Sequence, residues 1–187
     1  RDQSLRLISM VSILVDMAKL RAGFLRLIAE WQPLEEVVGA SIKLLGTALA
    51  RHTVQVALPR DLPLLKFDAI LMERVLCNLL ENAVKYAPSG SVIRISASND
   101  ADQATISVCN SGSHFPPGNL DKMFELFERG DAESNIPGIG LGLVICRSIV
   151  SAHGGTIRAS SAADSACVTF TLPLGVPPVI EAENEHE

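Results

Sequence analysis

Two hydrophobic periods run along this chain, one helical and one alternating, and between them they lay out most of its elements. Over residues 4–22 apolar side chains form two helical stripes, Leu5, Ile8, Val11 and Val15 on one and Leu7, Met10, Leu14 and Met17 on the other. A helix of that kind wants neighbours on two sides. It either packs on the following domain or belongs to a helical bundle completed elsewhere or by a second chain; the KLRAG segment at 19–23, which reads as a helix end and a linker, favours the bundle. A second helix is expected over 34–50, with Glu35 and Glu36 in its first turn, where the helix dipole favours acids. A strand at 53–58, a proline-punctuated loop at 61–67 and a helix at 68–87 follow, the last stopped by Pro88, Ser89 and Gly90. Alternation over 91–98 and 104–109 predicts an antiparallel hairpin. A short helix at 120–127, a polar and mobile stretch at 129–140, a helix at 141–153 ended by Gly154 and Gly155, and a hairpin of 156–160 with 166–172 complete the outline. Residues 181–187 read as an acidic, unstructured tail, and no internal repeat is present.

Composition narrows the function classes. With 187 residues, 48% of them hydrophobic, the chain can fill one domain with a helical appendage. The net charge of −5 and the scattering of its 16 basic residues argue against nucleic acid as a partner. Cys77, Cys109, Cys146 and Cys167 sit in apolar runs without metal-site spacing, which predicts reduced, buried thiols in a cytosolic protein and no zinc. The apolar run 7–15 is too short to span a bilayer and no cleavable signal precedes it, so a soluble piece is expected.

The candidate chemistry lies in two stretches. NLLENAVKYAP, at 78–88, places Asn78, Asn82 and Lys85 at i, i+4 and i+7 on one helix face, with Leu76, Leu79, Leu80 and Ala83 toward the core. GIGLGL, at 138–143, puts Gly138, Gly140 and Gly142 ahead of a helical run, where free amides and the positive end of the dipole favour phosphate oxygens. Oxygen ligands, a cation and bare amides are what a magnesium nucleotide requires. The spacing fits neither a dinucleotide fingerprint, which needs GxGxxG directly after a first strand, nor a P-loop, which needs GK followed by Ser or Thr.

With Asn110 to His114 and the phenylalanines at 124 and 127, these stretches resemble, in order and spacing, the N, G1, F and G2 boxes of the ATP-binding domain of sensor histidine kinases. The resemblance covers 34–173. EWQPLEEVVG at 30–39, with the two stretches above, is further similar to the Kdp-type, potassium-sensing branch of that family. It implies an α+β fold, a two-layer α/β sandwich of the Bergerat type, with a mixed, mostly antiparallel sheet packed on helices and a dimerisation-type helix in front. The expected domains are 1–28, the second helix of a dimerisation and phosphoacceptor hairpin with its linker; 29–175, the ATP-binding catalytic domain; and 176–187, the tail.

By the same resemblance the ligands are ATP and Mg2+. Asn82 would hold the metal through its side-chain oxygen, Asn78 would assist at the phosphates and Lys85 would contact them, Asn78 and Lys85 being the catalytic candidates. Tyr86 would lie against adenine or ribose. Asn110 stands where the family usually has Asp, accepting a hydrogen bond from the adenine amino group; a neutral acceptor weakens that bond by roughly 1 kcal/mol. Gly112 and Phe115 belong to the same box, in which His114 replaces the second glycine. Arg129 would reach the phosphates, residues 129–137 would form the ATP lid, and Gly138, Gly140, Leu141, Gly142 and Leu143 would cradle the triphosphate. The bland alternatives are surface amides and a solvated lysine on the helix, and simple packing for Tyr86 and the two F-box phenylalanines. His153 reads as a helix-end histidine rather than a catalytic one.

The function implied is donation of the ATP γ-phosphoryl to a histidine on a dimerisation helix, then to a response regulator. None of His52, His114, His153 and His186 has the acid-rich surroundings of that acceptor, so the acceptor histidine is expected outside this sequence, which would then be inactive alone. The implied partners are ATP and ADP, a response regulator, the histidine-bearing helix of the full-length protein and a second copy through the first helix. The implied location is the cytoplasmic side of a protein that is membrane-anchored at full length. The alternative function is a degenerate nucleotide-binding or dimerisation scaffold without kinase activity. A gyrase-like ATPase is less well supported, because Asn78 stands where such enzymes carry the water-activating glutamate.

Overall fold

The computed structural model describes residues 15, 18, 27–115, 117–125, 142–162 and 164–178. Val15 and Ala18 are helical; the rest of the first expected helix, the expected lid and the acidic tail lie outside the described residues. The elements are β1 (Glu30–Gln32), α1 (Leu34–Leu44), α2 (Gly46–Leu49), β2 (Thr53–Ala57), β3 (Leu65–Phe67), α3 (Ala69–Tyr86), β4 (Val92–Asn99), β5 (Gln103–Ser111), a short 3-10 helix (Leu120–Phe124), α4 (Gly142–Ala152), β6 (Ile157–Ala162) and β7 (Ser165–Pro173).

The main sheet runs β2-β4-β5-β7-β6. β2 pairs with β4 in parallel, and the other pairs are antiparallel. Period-two alternation turns Ala104, Ile106 and Val108 of β5 and Ala166, Val168, Phe170 and Leu172 of β7 inward, all buried. All of these but Ala166 meet the helical stripe Met72, Val75, Leu76, Leu79, Leu80 and Ala83 of α3 and Val144, Ile145, Cys146, Ile149 and Val150 of α4 in one core. Each large side chain so buried contributes about 1.5–3 kcal/mol. The result is the two-layer α+β sandwich the sequence resemblance implies, with a mixed and mostly antiparallel sheet.

α3 starts at Asp68, whose carboxylate accepts from the Leu71 amide, and ends before Pro88. α4 turns into β6 through Gly154, at φ +78°, and Gly155, where an added Cβ would stand 1.8 Å from the Thr171 carbonyl oxygen, so only glycine fits.

Three expectations are corrected. The helix over 34–50 is broken: Leu45 leaves helical geometry (φ −94°, ψ 11°) ahead of Gly46, a weak helix former. The loop at 61–67 ends in β3, which pairs antiparallel with β1 in a separate two-stranded sheet. Leu65 and Phe67 are fully buried around an exposed Lys66, an alternation too short to read from sequence. Finally, Cys109 and Cys167 are disulfide-bonded rather than reduced. The β5–β7 register sets them directly opposite on the outer side of the sheet, a pairing that spacing along the chain does not reveal. Cys146 is a buried free thiol, as expected, and Cys77 is a half-buried one.

Candidate functional site

A narrow cavity opens between α3, the end of β5 and the start of α4. Leu79, Asn82, Ala83, Tyr86, Val108, Asn110, Phe115, Met123, Leu143 and Val168 line it. Asn82 and Tyr86 reach it from the polar side of α3, one turn apart. Asn110 reaches it because it occupies the inward register of β5, after Ala104, Ile106 and Val108; a polar residue there, 6% exposed, breaks the apolar pattern at the edge of the core. Enclosed volume is about 20 Å³, close to what one water occupies. That space is too small for a purine with Phe115, Met123 and Leu143, all partly buried against the core, where they stand.

Asn78 lies one turn before Asn82, against α4. Its side-chain oxygen is 3.4 Å from where a Cβ would stand on Gly142. The helix face and the end of the glycine-rich stretch thus converge. The Asn78 Nδ2 is buried without a hydrogen-bond partner among the described residues, a costly state for an amide unless a ligand relieves it. Beside it, burial pushes the Cys146 thiol up to about 12, against a smaller downward pull from the Asn78 amide. Cys77 is also raised, first by burial and further by Glu73 and Glu81, with Ser41 opposing.

The loop after β5 is tightly held. Gly112 adopts φ +76°, and a Cβ on it would stand 3.1 Å from Pro88 Cγ, so the loop passes close over the end of α3. The Gly112 amide donates to the Asp164 carbonyl at 2.9 Å, and the Phe115 amide to Ser161 Oγ at 2.9 Å. The Asn110 Nδ2 donates to Ser113 Oγ. His114 is exposed and is not among the lining residues, so its side chain does not fill the cavity.

Other sequence-predicted residues fall differently. Lys85 Nζ is 3.2 Å from the Tyr86 hydroxyl and 4.8 Å from its ring centroid, at the rim rather than in the lining. Phe124 is buried in the core, with the Arg147 guanidinium 4.8 Å from its ring centroid and 3.5 Å from Asp121. Arg129, Gly138, Gly140, Leu141 and Phe127 lie outside the described residues. Sequence reasoning missed Met123, Val108 and Val168 in the lining, and Ser113 as the partner of Asn110. For Val108 and Val168 the strand alternation was a usable signal; for the other two only the tertiary structure supplies one.

His153 is a structural joint. Its Nε2 accepts from the Asp68 amide at 3.0 Å and its Nδ1 lies 2.7 Å from the Ile149 carbonyl, which fixes the neutral tautomer with the proton on Nδ1. A larger open cleft of about 450 Å³, beside α2 and the end of α3, is lined by Thr47, Arg51, His52 and Val84 among others, and holds none of the sequence-predicted site residues. Among the described residues no cluster of three or more His, Cys, Asp or Glu could hold a metal, and no helix is long and apolar enough to cross a membrane.

The family model described as "Histidine kinase-, DNA gyrase B-, and HSP90-like ATPase" matches residues 67–176. The chain is 43% identical over its whole length to the sensor protein KdpD of Escherichia coli strain K12 and spans 21% of that protein's length. To the KdpD of Clostridium acetobutylicum it is 32% identical over 89% of the chain and 19% of the relative. Among solved structures, full-length ShkA in complex with AMPPNP matches 92% of this chain and 37% of its own, with TM-score 0.80 and 24% identity. The Acinetobacter baumannii histidine kinase AdeS matches 92% of this chain and 80% of its own, with TM-score 0.76 and 23% identity. These two likenesses speak to the fold.

Proposed function

We propose, since the chain belongs to the histidine kinase-, DNA gyrase B- and HSP90-like ATPase family, that it is the ATP-binding catalytic part of a two-component sensor histidine kinase of the KdpD kind. In this reading it binds Mg-ATP and presents the γ-phosphoryl to a histidine on a dimerisation helix of the full-length protein. From there the group passes to an aspartate of a response regulator. The observation that carries the reading is the meeting of α3 and α4 at Asn78, whose side-chain oxygen stands against Gly142 while its buried Nδ2 has no hydrogen-bond partner among the described residues.

The residues fit their ligands. Asn78, set against the first residue of α4, would assist at the phosphate side once its amide turns toward that helix end. Asn82, an oxygen donor on the cavity wall, would hold Mg2+, which takes few protein oxygens and keeps its remaining waters. The metal, when bound, supplies positive charge against the phosphate oxygens. Asn110 would accept from the adenine amino group, and Tyr86 would flank the base or ribose. Phe115, Met123 and Leu143 would close on the base and exclude water. Lys85, on the rim, would exchange its contact with Tyr86 for the phosphates. Phosphoryl transfer draws on positioning and charge stabilisation rather than on a covalent enzyme group, and the absence of a glutamate at 78 fits transfer over hydrolysis. A pairing of two copies through the first helix belongs to the same proposal.

Calorimetric titration with Mg-ATP and with a non-hydrolysable analogue tests it. Saturable binding that weakens when Mg2+ is chelated is the expected result. No binding at millimolar nucleotide would leave a scaffold module in its place.

A further inference from the structure

We propose that the Asn110–Ser113 pair reads purines in two senses, so that this site takes guanine nucleotides as well as adenine nucleotides. The inference rests on the nucleotide reading above and concerns the base end of that same cavity.

A side-chain amide carries an acceptor oxygen at one end and donor hydrogens at the other, and a serine hydroxyl serves as either donor or acceptor. The Asn110 Nδ2 donates to Ser113 Oγ, its side-chain hydrogen bond among the described residues, which leaves Oδ1 available to a ligand in the cavity that Asn110 lines. A half-turn of the amide exchanges the two ends. Oδ1 then accepts from the Ser113 hydroxyl, and Nδ2 faces the ligand. Both orientations keep one internal hydrogen bond, so neither is strongly preferred before a ligand arrives. At the equivalent ring position adenine offers an amino donor and guanine a carbonyl acceptor. Oδ1 suits the first and Nδ2 the second.

The backbone makes this a fixed pair. Asn110 is held in β5 opposite Ile93 and Ala166. The positive φ of Gly112 turns the chain so that Ser113 comes back over Asn110, and the Gly112 amide bond to Asp164 holds the turn. Val108 and Val168, the flanking wall residues, have no hydrogen-bonding preference between bases. A carboxylate at 110 could only accept, and would select adenine.

Calorimetric titration of the chain with Mg-ATP and Mg-GTP, repeated on Asn110→Asp and Ser113→Asp, tests the pair. The unsubstituted protein should bind the two nucleotides with affinities within about tenfold of each other. Asn110→Asp removes the donor. Ser113→Asp, an acceptor only, pins Nδ2 inward. Each should widen the ATP-to-GTP preference by about tenfold or more, and the ratio cancels any general effect of the added charge on the phosphates. Thermal melts establish that the variants are folded; if either is not, the ratio in the other decides. ATP binding with GTP a hundredfold weaker, or a ratio that neither substitution moves, overturns the inference and leaves the ATP reading standing. Failure of both nucleotides to bind overturns both.

Discussion

The side-chain oxygen of Asn78 lies 3.4 Å from where a Cβ would stand on Gly142, so the first residue of α4 is bare where the α3 amide faces it. Its Nδ2 is buried and unpartnered among the described residues. Left unpartnered, the amide is a liability to the fold, and on the proposed reading its value lies in nucleotide binding. Asn78→Ala should leave the melting temperature unchanged or raise it, because alanine removes the buried donor and is the better helix former, worth together about 1 kcal/mol. The same substitution should weaken Mg-ATP binding by about tenfold or more. A melt beside a calorimetric titration checks both; lost stability with intact binding would assign Asn78 to the core.

Asn82 gives a metal-specific counterpart. It lines the cavity one turn along the same helix. Asn82→Ala should make nucleotide affinity insensitive to Mg2+, whereas the unsubstituted chain should bind more weakly once the metal is chelated. Equal metal dependence in the two proteins would remove Asn82 from the magnesium site.

Asp68 joins three parts of the molecule. Its carboxylate accepts from the Ile28 amide at 3.0 Å and the Leu71 amide at 3.1 Å, and its own amide donates to His153 Nε2. The segment leading into the domain, α3 and the end of α4 thus meet at one residue that is 8% exposed. Asp68→Ala loses a helix cap and orphans a second amide, a cost of about 2 kcal/mol and a fall in melting temperature of about 4–8 °C. His153→Ala leaves the Asp68 amide without its acceptor and should cost about 1–3 kcal/mol. The double variant should cost less than the sum, since both act on the same joint; full additivity in thermal melts would refute the coupling.

What the sequence could disclose follows from the range of each interaction. Helices and strands longer than about five residues announce themselves by periodicity, and α3, α4, β4, β5 and β7 fall close to where the pattern puts them. The inward parity of Asn110 was also readable, as the next even step after Ala104, Ile106 and Val108. The β1–β3 pair was not, because three residues carry too little alternation and their hydrogen bonds come from a partner 35 residues away. The Asp68–His153 bond spans 85 residues, and the Cys109–Cys167 bond depends on a strand register. No local composition encodes either. The joining of Asn78 to Gly142 was inferable only by analogy, since packing of α3 on α4 sets that distance.

The cysteines yield a graded accessibility. Cys109 and Cys167 are bonded to each other, Cys146 is buried in the core and Cys77 is half-buried. Alkylation of the native protein at neutral pH should label Cys77 slowly and spare Cys146. Unfolding without reductant should expose both, and reductant should bring the count to four, each step read by intact mass. Cys146 also makes stability depend on pH. Its thiol holds a proton in the folded state up to about 12, against an ordinary value of 9.0. Between those limits the folded state binds more protons than the unfolded one, so the contribution of this thiol is constant below about pH 9 and is lost as pH rises toward 12. Cys146→Ala should lower stability by a cavity cost of about 1–2 kcal/mol and flatten this alkaline slope. Denaturant melts at pH 8 and 10.5 on both proteins measure the difference, and an identical slope in the variant would show that the alkaline loss arises from other groups.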